Sequence, residues 1–138
     1  FCTALGTGGT VLGSGSFLKE KIPNLYVIAT SIKRGSSIPG PRSEDAVKKL
    51  YFPWESVVDL ELPVADRPSF EMSLKLIREG IFVGPATGMQ LAGILEVLSK
   101  MKKEKKLKKN TNAVLIAGDT MFPYIEDYFA MLPELRKK

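Results

Sequence analysis

The residues best suited to chemistry in this chain are Gly6, Thr7, Gly8, Gly9 and Thr10. Glycines let a backbone approach a ligand closely and take dihedrals that a side chain would forbid. The N–H groups of such a turn, together with the positive end of a following helix, converge on one spot and favour an anion. Thr7 and Thr10 add hydroxyl donors. The stretch reads as a phosphate cradle. A β-branched side chain at Gly8 is expected to fill the anion's space and to resist a positive φ.

Two common nucleotide loops match poorly. A P-loop ends in Gly-Lys-Ser/Thr, and no lysine lies between Leu5 and Gly13. The dinucleotide fingerprint wants a third glycine at position 11, where Val11 stands. It also wants an acid near the end of the next strand, which reads Ile28-Ala29-Thr30-Ser31. A compact cradle suits a single phosphate monoester. The competing reading is a tight strand-to-helix turn that binds nothing.

Other chemistries are excluded by composition. The chain has no histidine and one cysteine, Cys2. That removes Ser-His-Asp and Cys-His machinery, histidine metal sites and a structural zinc site. Cys2 has apolar neighbours and reads as packing rather than as a nucleophile. A lone cysteine forms no internal disulfide, which agrees with a reducing, cytoplasmic setting.

The formal charge is +5 over 138 residues. Seven of the 20 basic residues and one of the 15 acidic ones lie between Lys100 and Lys109, so this run carries +6 and the rest of the chain −1. The run holds no aromatic residue. It reads as a solvated helix end rather than a nucleic-acid surface. No apolar stretch approaches the length of a membrane span. The chain opens on Phe1 with no initiator methionine and no basic leader, and reads as part of something longer.

Elements must hold the cradle in place. Phe1 to Ala4 reads as the end of a strand, and residues 11–20 as a helix with Val11, Gly15 and Leu18 on one face. A second strand is predicted over Leu25–Ala29, apolar on both sides as in a covered parallel sheet. Residues 33–42 form a loop, and Ser43 caps a short helix over 46–50. Trp54 anchors a packed connection. A third strand is predicted over Val57–Leu62, then a helix that begins around Asp66–Ser69 and ends at Gly80. Ile81–Val83 reads as a very short strand, Gly84–Gly88 as a second glycine loop, and Met89–Met101 as a helix. Ala113–Ala117 is the last strand and Pro123–Met131 the last helix.

This order predicts one α/β domain over residues 1–138, three-layered, with a mostly parallel sheet and helices on both faces. Ligands in such sheets sit at the carboxyl ends of the strands. Three loops meet there: Gly6–Thr10, Gly84–Gly88 and Gly118–Thr120.

Those loops, in that order, resemble the pyridoxal-phosphate enzymes of the cysteine synthase family, fold type II. The resemblance rests on four ordered motifs. They are Gly6-Thr7-Gly8-Gly9-Thr10 with Leu18-Lys19-Glu20 after it, Gly35-Ser36-Ser37-Ile38-Pro39-Gly40-Pro41-Arg42, Arg78-Glu79-Gly80-Ile81-Phe82-Val83-Gly84, and Gly118-Asp119 with Tyr124. The second is similar to the cysteine synthase B branch.

The resemblance implies that Gly6 to Thr10 hold the 5′-phosphate of pyridoxal phosphate, and that Ala86 and Thr87 lie by the pyridine nitrogen. Arg42 would sit on a mobile loop near the substrate. The family usually carries serine where Ala86 stands. The implied reaction is β-replacement on an activated serine, in cysteine biosynthesis, with an amino-acid substrate and a homodimer as the complete enzyme. The family's Schiff-base lysine precedes the Gly-Thr-Gly-Gly-Thr loop, so the expectation places it upstream of this chain, with none of the catalytic residues inside. A non-catalytic subunit that keeps the cradle as a binding or regulatory module is the second reading.

Overall fold

A computed structural model describes residues 1–137. Three strands form a parallel sheet in the order β1 (Cys2–Ala4), β2 (Ile28–Ile32), β3 (Leu60–Val64). Thr3 lies opposite Ala29, and Thr30 opposite Leu62. Among the described residues there are five α-helices: α1 (Gly9–Lys21), α2 (Glu44–Val47), α3 (Asp66–Arg78), α4 (Pro85–Lys103) and α5 (Ile125–Met131). No helix among the described residues is long and apolar enough to cross a membrane.

Strand alternation sends the two sets of side chains to opposite faces. Phe1, Leu5 and Ala29 meet Val11 of α1 with Val27, Val47, Trp54 and Val57. Cys2 and Ile28 meet Ile94 of α4, while Ile32 and Val64 meet Met89. The sheet is thus covered by α1 on one side and α4 on the other, as the sequence predicts. Trp54 is 4% exposed and its indole N–H donates to the Val47 carbonyl at 3.2 Å, so it is the expected anchor.

Helix α3 departs from a plain three-layer arrangement. It packs on α4 and α5, outside the sheet, around Phe70, Tyr128 and Leu132. Gly88 makes this possible. A methyl group there would overlap the Ser69 carbonyl oxygen and lie 2.6 Å from the Ser73 nitrogen. The Tyr128 hydroxyl donates to Ser73 Oγ at 2.7 Å, and burial raises its phenol above the ordinary value.

Several predicted boundaries move. The second strand is Ile28–Ile32, not Leu25–Ala29, because the Val27 N–H goes to the Asp59 carboxylate at 2.7 Å instead of a neighbouring strand. The third is Leu60–Val64, because Trp54–Ser56 form a 3-10 turn that ends at Val57. Helix α2 begins at Glu44, directly after the Ser43 cap, whose Oγ accepts from the Ala46 N–H at 3.3 Å. Helix α3 begins at Asp66 with Ala65 at its cap position, and Ser69 lies inside it and donates to the Ala65 carbonyl at 2.7 Å. Gly84–Gly88 is not a free loop, since Pro85 already occupies the first turn of α4. The last helix starts at Ile125, after a 3-10 turn over Phe122–Tyr124.

The short strands predicted over Ile81–Val83 and Ala113–Ala117 reduce to single bridges. Val83 pairs antiparallel with Thr120, and Leu115 pairs parallel with Cys2.

Candidate functional site

The chain between β1 and α1 forms the first wall of the site. Gly8 takes φ +86°, a left-handed value that glycine tolerates, and turns the backbone into α1. The first helical bond runs from the Leu12 N–H to the Gly8 carbonyl at 3.0 Å. The Gly9 N–H meets Thr7 Oγ1 at 3.4 Å. Among the described residues, the N–H groups of Thr7, Gly8, Thr10 and Val11 find no acceptor in the chain. No side chain caps α1 and no acidic residue stands in its first turn. These donors and the helix dipole are available to an anion.

The Gly84–Gly88 turn looks similar in sequence but is built differently. The carboxylate of Asp119 reaches across from the Gly118–Thr120 turn and caps α4. Its Oδ2 accepts from the Ala86 N–H at 2.8 Å and its Oδ1 from the Thr87 N–H at 3.1 Å. The Thr87 hydroxyl also donates to Oδ1. Gly84, at the cap position, has no side chain to do this. The anion site of α4 is therefore filled from within the protein, and that of α1 is open.

Between these walls lies a cleft of about 400 Å³. Gly6, Thr7, Gly8 and Thr10 line it together with Ala86, Asp119 and Tyr124. Pro39, Gly40 and Pro41 also line it. That loop is tied down just beyond: the Arg42 N–H donates to the Leu5 carbonyl at 2.7 Å, and the Ile32 N–H to the Arg42 carbonyl at 2.9 Å. The backbone of Arg42 thus sits beside the cradle, while its exposed side chain is not part of the lining.

The expected site residues are brought together unevenly. Gly6, Thr7, Gly8 and Thr10 share one lining with Ala86. Gly9 contributes the first residue of α1 beside them. Thr87 is 1% exposed and turned to Asp119. Two residues escaped the sequence reading. Asp119 was visible as part of a turn and of the Gly118-Asp119 motif, but without a role, although a lone acid at the carboxyl end of a strand is a signal. Gln90 carried no signal. It is buried, and it holds the last strand segment against the cleft.

A parallel α/β sheet with unpaired backbone donors after its first strand defines an α/β domain with an open anion cradle. Comparison with known proteins gives the particular family. Residues 1–119 match the family described as pyridoxal-phosphate dependent enzyme, and the chain belongs to that family. The cystathionine beta-synthase of Dictyostelium discoideum is 31% identical over 137 residues, covering 90% of this chain and 26% of that protein. Cysteine synthase B of Escherichia coli (strain K12) is 32% identical over 121 residues, covering 85% of this chain and 36% of that protein. The chain therefore spans about a quarter to a third of the length of these relatives.

Solved structures agree on the fold. O-ureido-L-serine synthase superimposes with a TM-score of 0.77 at 22% identity, over 96% of this chain and 43% of that one. A hydrogen sulfide-producing enzyme superimposes with a TM-score of 0.74 at 24% identity, over 91% of this chain and 38% of that one. The cofactor of the family is pyridoxal phosphate. The residues present fit its phosphate end, because the first turn of α1 presents unpaired N–H donors and no competing carboxylate.

Proposed function

We propose that this chain holds pyridoxal 5′-phosphate through Gly6 to Thr10, as part of a cysteine synthase-like enzyme that catalyses β-replacement on an activated serine. The observation that carries the reading is the uncapped first turn of α1, with its free N–H groups facing the cleft beside Gly6 and Thr7. When bound, the cofactor supplies an electron sink for reactions at the amino-acid α-carbon. The chain's own residues bind and orient. Thr7 and Thr10 supplement the backbone donors with hydroxyls. Pro39–Pro41 line the cleft beside the cradle. Arg42, carried on the same loop and without an ion-pair partner among the described residues, is available to a substrate carboxylate. A Schiff-base lysine lies outside this chain in this proposal, as do the homodimer and a cytoplasmic location of the complete enzyme.

The second reading is a non-catalytic member of the family that keeps the cradle. Ala86 favours it, since the cleft wall there carries no hydroxyl. Cysteine formation by the complete protein from an activated serine and sulfide decides between the two.

Binding is tested by titrating pyridoxal phosphate against the isotope-labelled chain. Affinity on the order of millimolar is expected, since only a few charge-assisted bonds of about 1.5–3 kcal/mol each oppose immobilisation. Amide shifts should centre on Gly6–Thr10. Largest shifts at Lys100–Lys109, with none at Gly8 or Gly9, would mean diffuse attraction to the lysine run and would end the proposal.

A further inference from the structure

The lysine run at the end of α4 is exposed, yet its backbone is folded. The Lys106 and Leu107 N–H groups both donate back to the Met101 carbonyl, at 2.9 and 3.3 Å. The Lys105 N–H donates to the Lys102 carbonyl at 3.1 Å. Beyond the turn, the Thr111 N–H and hydroxyl donate to the Lys108 carbonyl, at 3.2 and 2.9 Å. These bonds fold the residues after Lys103 back on the last turn of α4. The seven lysines between 100 and 109 therefore gather at one place instead of trailing into solvent.

The gathering works against local stability. Lys105 takes φ +57° and is the only non-glycine residue with a positive φ among the described residues. Helices commonly place glycine at such a turn. Lys100 and Lys103 stand three residues apart in α4, where like charges repel. Lys100, Lys102, Lys103, Lys105, Lys108 and Lys109 belong to no ion pair among the described residues. Within the run, Glu104 alone answers them. It accepts from Lys106 Nζ at 2.7 Å, and that bond, with the charges of Lys106 and Lys100, holds its carboxyl below the ordinary value. The run thus already binds one carboxylate and has cations left for more.

This patch is remote from the cleft. Ala86, at the start of α4, lines the cleft, and the helix runs 19 residues from Pro85 to Lys103, roughly 27 Å at about 1.5 Å per residue. Its composition selects the partner. The run holds no arginine and no aromatic residue. It lacks the forked guanidinium that grips phosphates and the rings that stack on bases. Its apolar residues, Met101 and Leu107, are half-buried and offer no apolar face to a membrane. Lysine ammoniums are hydrated point charges on flexible stems, which suit carboxylates that are themselves flexible and hydrated.

We propose that Lys100 to Lys109 form a docking surface for an acidic segment of another protein, a flexible run of aspartates and glutamates. Carboxylates of the partner pair with the lysines that Glu104 leaves free and relieve their mutual repulsion. The attraction is between exposed charges, so salt screens it.

The test uses the complete protein containing this chain and a fluorescent peptide of ten glutamates, followed by anisotropy. The peptide should bind, and affinity should fall at least tenfold between about 50 mM and about 500 mM salt. A variant with Lys102→Gln, Lys103→Gln, Lys105→Gln and Lys108→Gln should bind at least tenfold more weakly, with a thermal midpoint no lower than the parent's. Lys105→Gly should raise the midpoint and weaken binding, because it relieves the left-handed turn and removes one charge. Affinity unchanged in both variants, or no binding by the parent, overturns the proposal. Duplex DNA or phosphatidylserine vesicles that bind more tightly than the peptide at about 150 mM salt overturn it as well, since they assign the lysines to phosphates.

Discussion

The side-chain amide of Gln90 pairs with the backbone of Ile116 as a neighbouring strand would. Its Nε2 donates to the Ile116 carbonyl at 2.8 Å, and its Oε1 accepts from the Ile116 N–H at 3.0 Å. Gln90 is 3% exposed and belongs to α4. One helical residue thus secures the segment that leads into Gly118 and Asp119. It replaces ladder bonds that the single Cys2–Leu115 bridge does not supply.

Gln90→Leu removes both bonds while keeping an apolar body of similar size. It should strand the Ile116 N–H and carbonyl, each at a cost of about 1–3 kcal/mol where water is excluded. The measurement is amide hydrogen exchange. Ile116 should lose protection by tenfold or more, while Ile28 and Thr30 in β2 keep theirs. Uniform loss across both would mean that Gln90 supports the whole fold rather than this edge.

Gly88→Ala addresses the crossing of α3 and α4. Alanine is the better helix former, so propensity alone favours the variant. The methyl group has no room against Ser69 and Ser73. Forced repacking of this kind costs about 1–3 kcal/mol. A lower midpoint in thermal unfolding is the expected result. A raised midpoint would show that α3 can retreat from α4 without loss.

The sequence made the first half of the site legible and left the second half obscure. The glycines and threonines at 6–10 announce a cradle because backbone donors need no particular partner elsewhere in the chain. The order of β1 to β3 and of the helices was equally readable from apolar runs, while the last two predicted strands are only single bridges. Leu25–Val27 and Val57–Val58 are such runs too, and only the long-range bond from the Val27 N–H to Asp59 shows where each strand begins. The α4 wall was opaque for the same reason. Gly84–Gly88 resembles Gly6–Thr10 until Asp119, more than thirty residues away, is seen to occupy its donors.

Asp59 should set part of the acid limb of stability. Burial would raise its pKa, but bonds from Lys19 at 2.8 Å and from the Val27 N–H prevail and hold it below the ordinary carboxylate value. A group depressed in the folded state stabilises above its ordinary pKa, and that stabilisation is lost as pH falls through the folded value. The contribution should be about 1 kcal/mol, reduced because both Asp59 and Lys19 are a third exposed. Unfolding by denaturant at pH 7 and at pH 3 checks it. Asp59→Asn should lose stability at pH 7 and show a flatter fall toward pH 3. A parallel fall in both proteins would assign the acid limb elsewhere.

Cys2 should be silent toward thiol reagents. Burial pushes its thiol up to about 12, and its Sγ donates to the Gln90 carbonyl at 3.7 Å. Thiolate is the reactive form, and almost none exists at pH 8. Alkylation of the native chain at pH 8 should be at least a hundredfold slower than in denaturant. Comparable rates would mean that the β1 edge opens readily, which the exchange of Ile116 would then also show.

Gly8 carries the last expectation, and the structure changes its physical basis. The sequence suggested that a side chain at Gly8 would fill the anion's place. A β-carbon at Gly8 instead points inward, 3.3 Å from the Trp54 β-carbon and 3.6 Å from Leu50. Its effect must come through the backbone. At φ +86° an L-residue is strained by about 1–2 kcal/mol, less for asparagine and more for a β-branched residue. Relief of that strain rotates the Gly8 and Gly9 N–H groups away from their common focus. Gly8→Asn should therefore bind phosphate nearly as well as the parent, Gly8→Ala roughly tenfold more weakly, and Gly8→Val not measurably. A steric origin against Trp54 and Leu50 predicts at least as much damage from asparagine as from the smaller alanine. Phosphate titration followed at the Gly9 and Thr10 amides separates the two. An asparagine variant that binds no better than the alanine variant would assign the loss to the Trp54 contact and not to the left-handed turn.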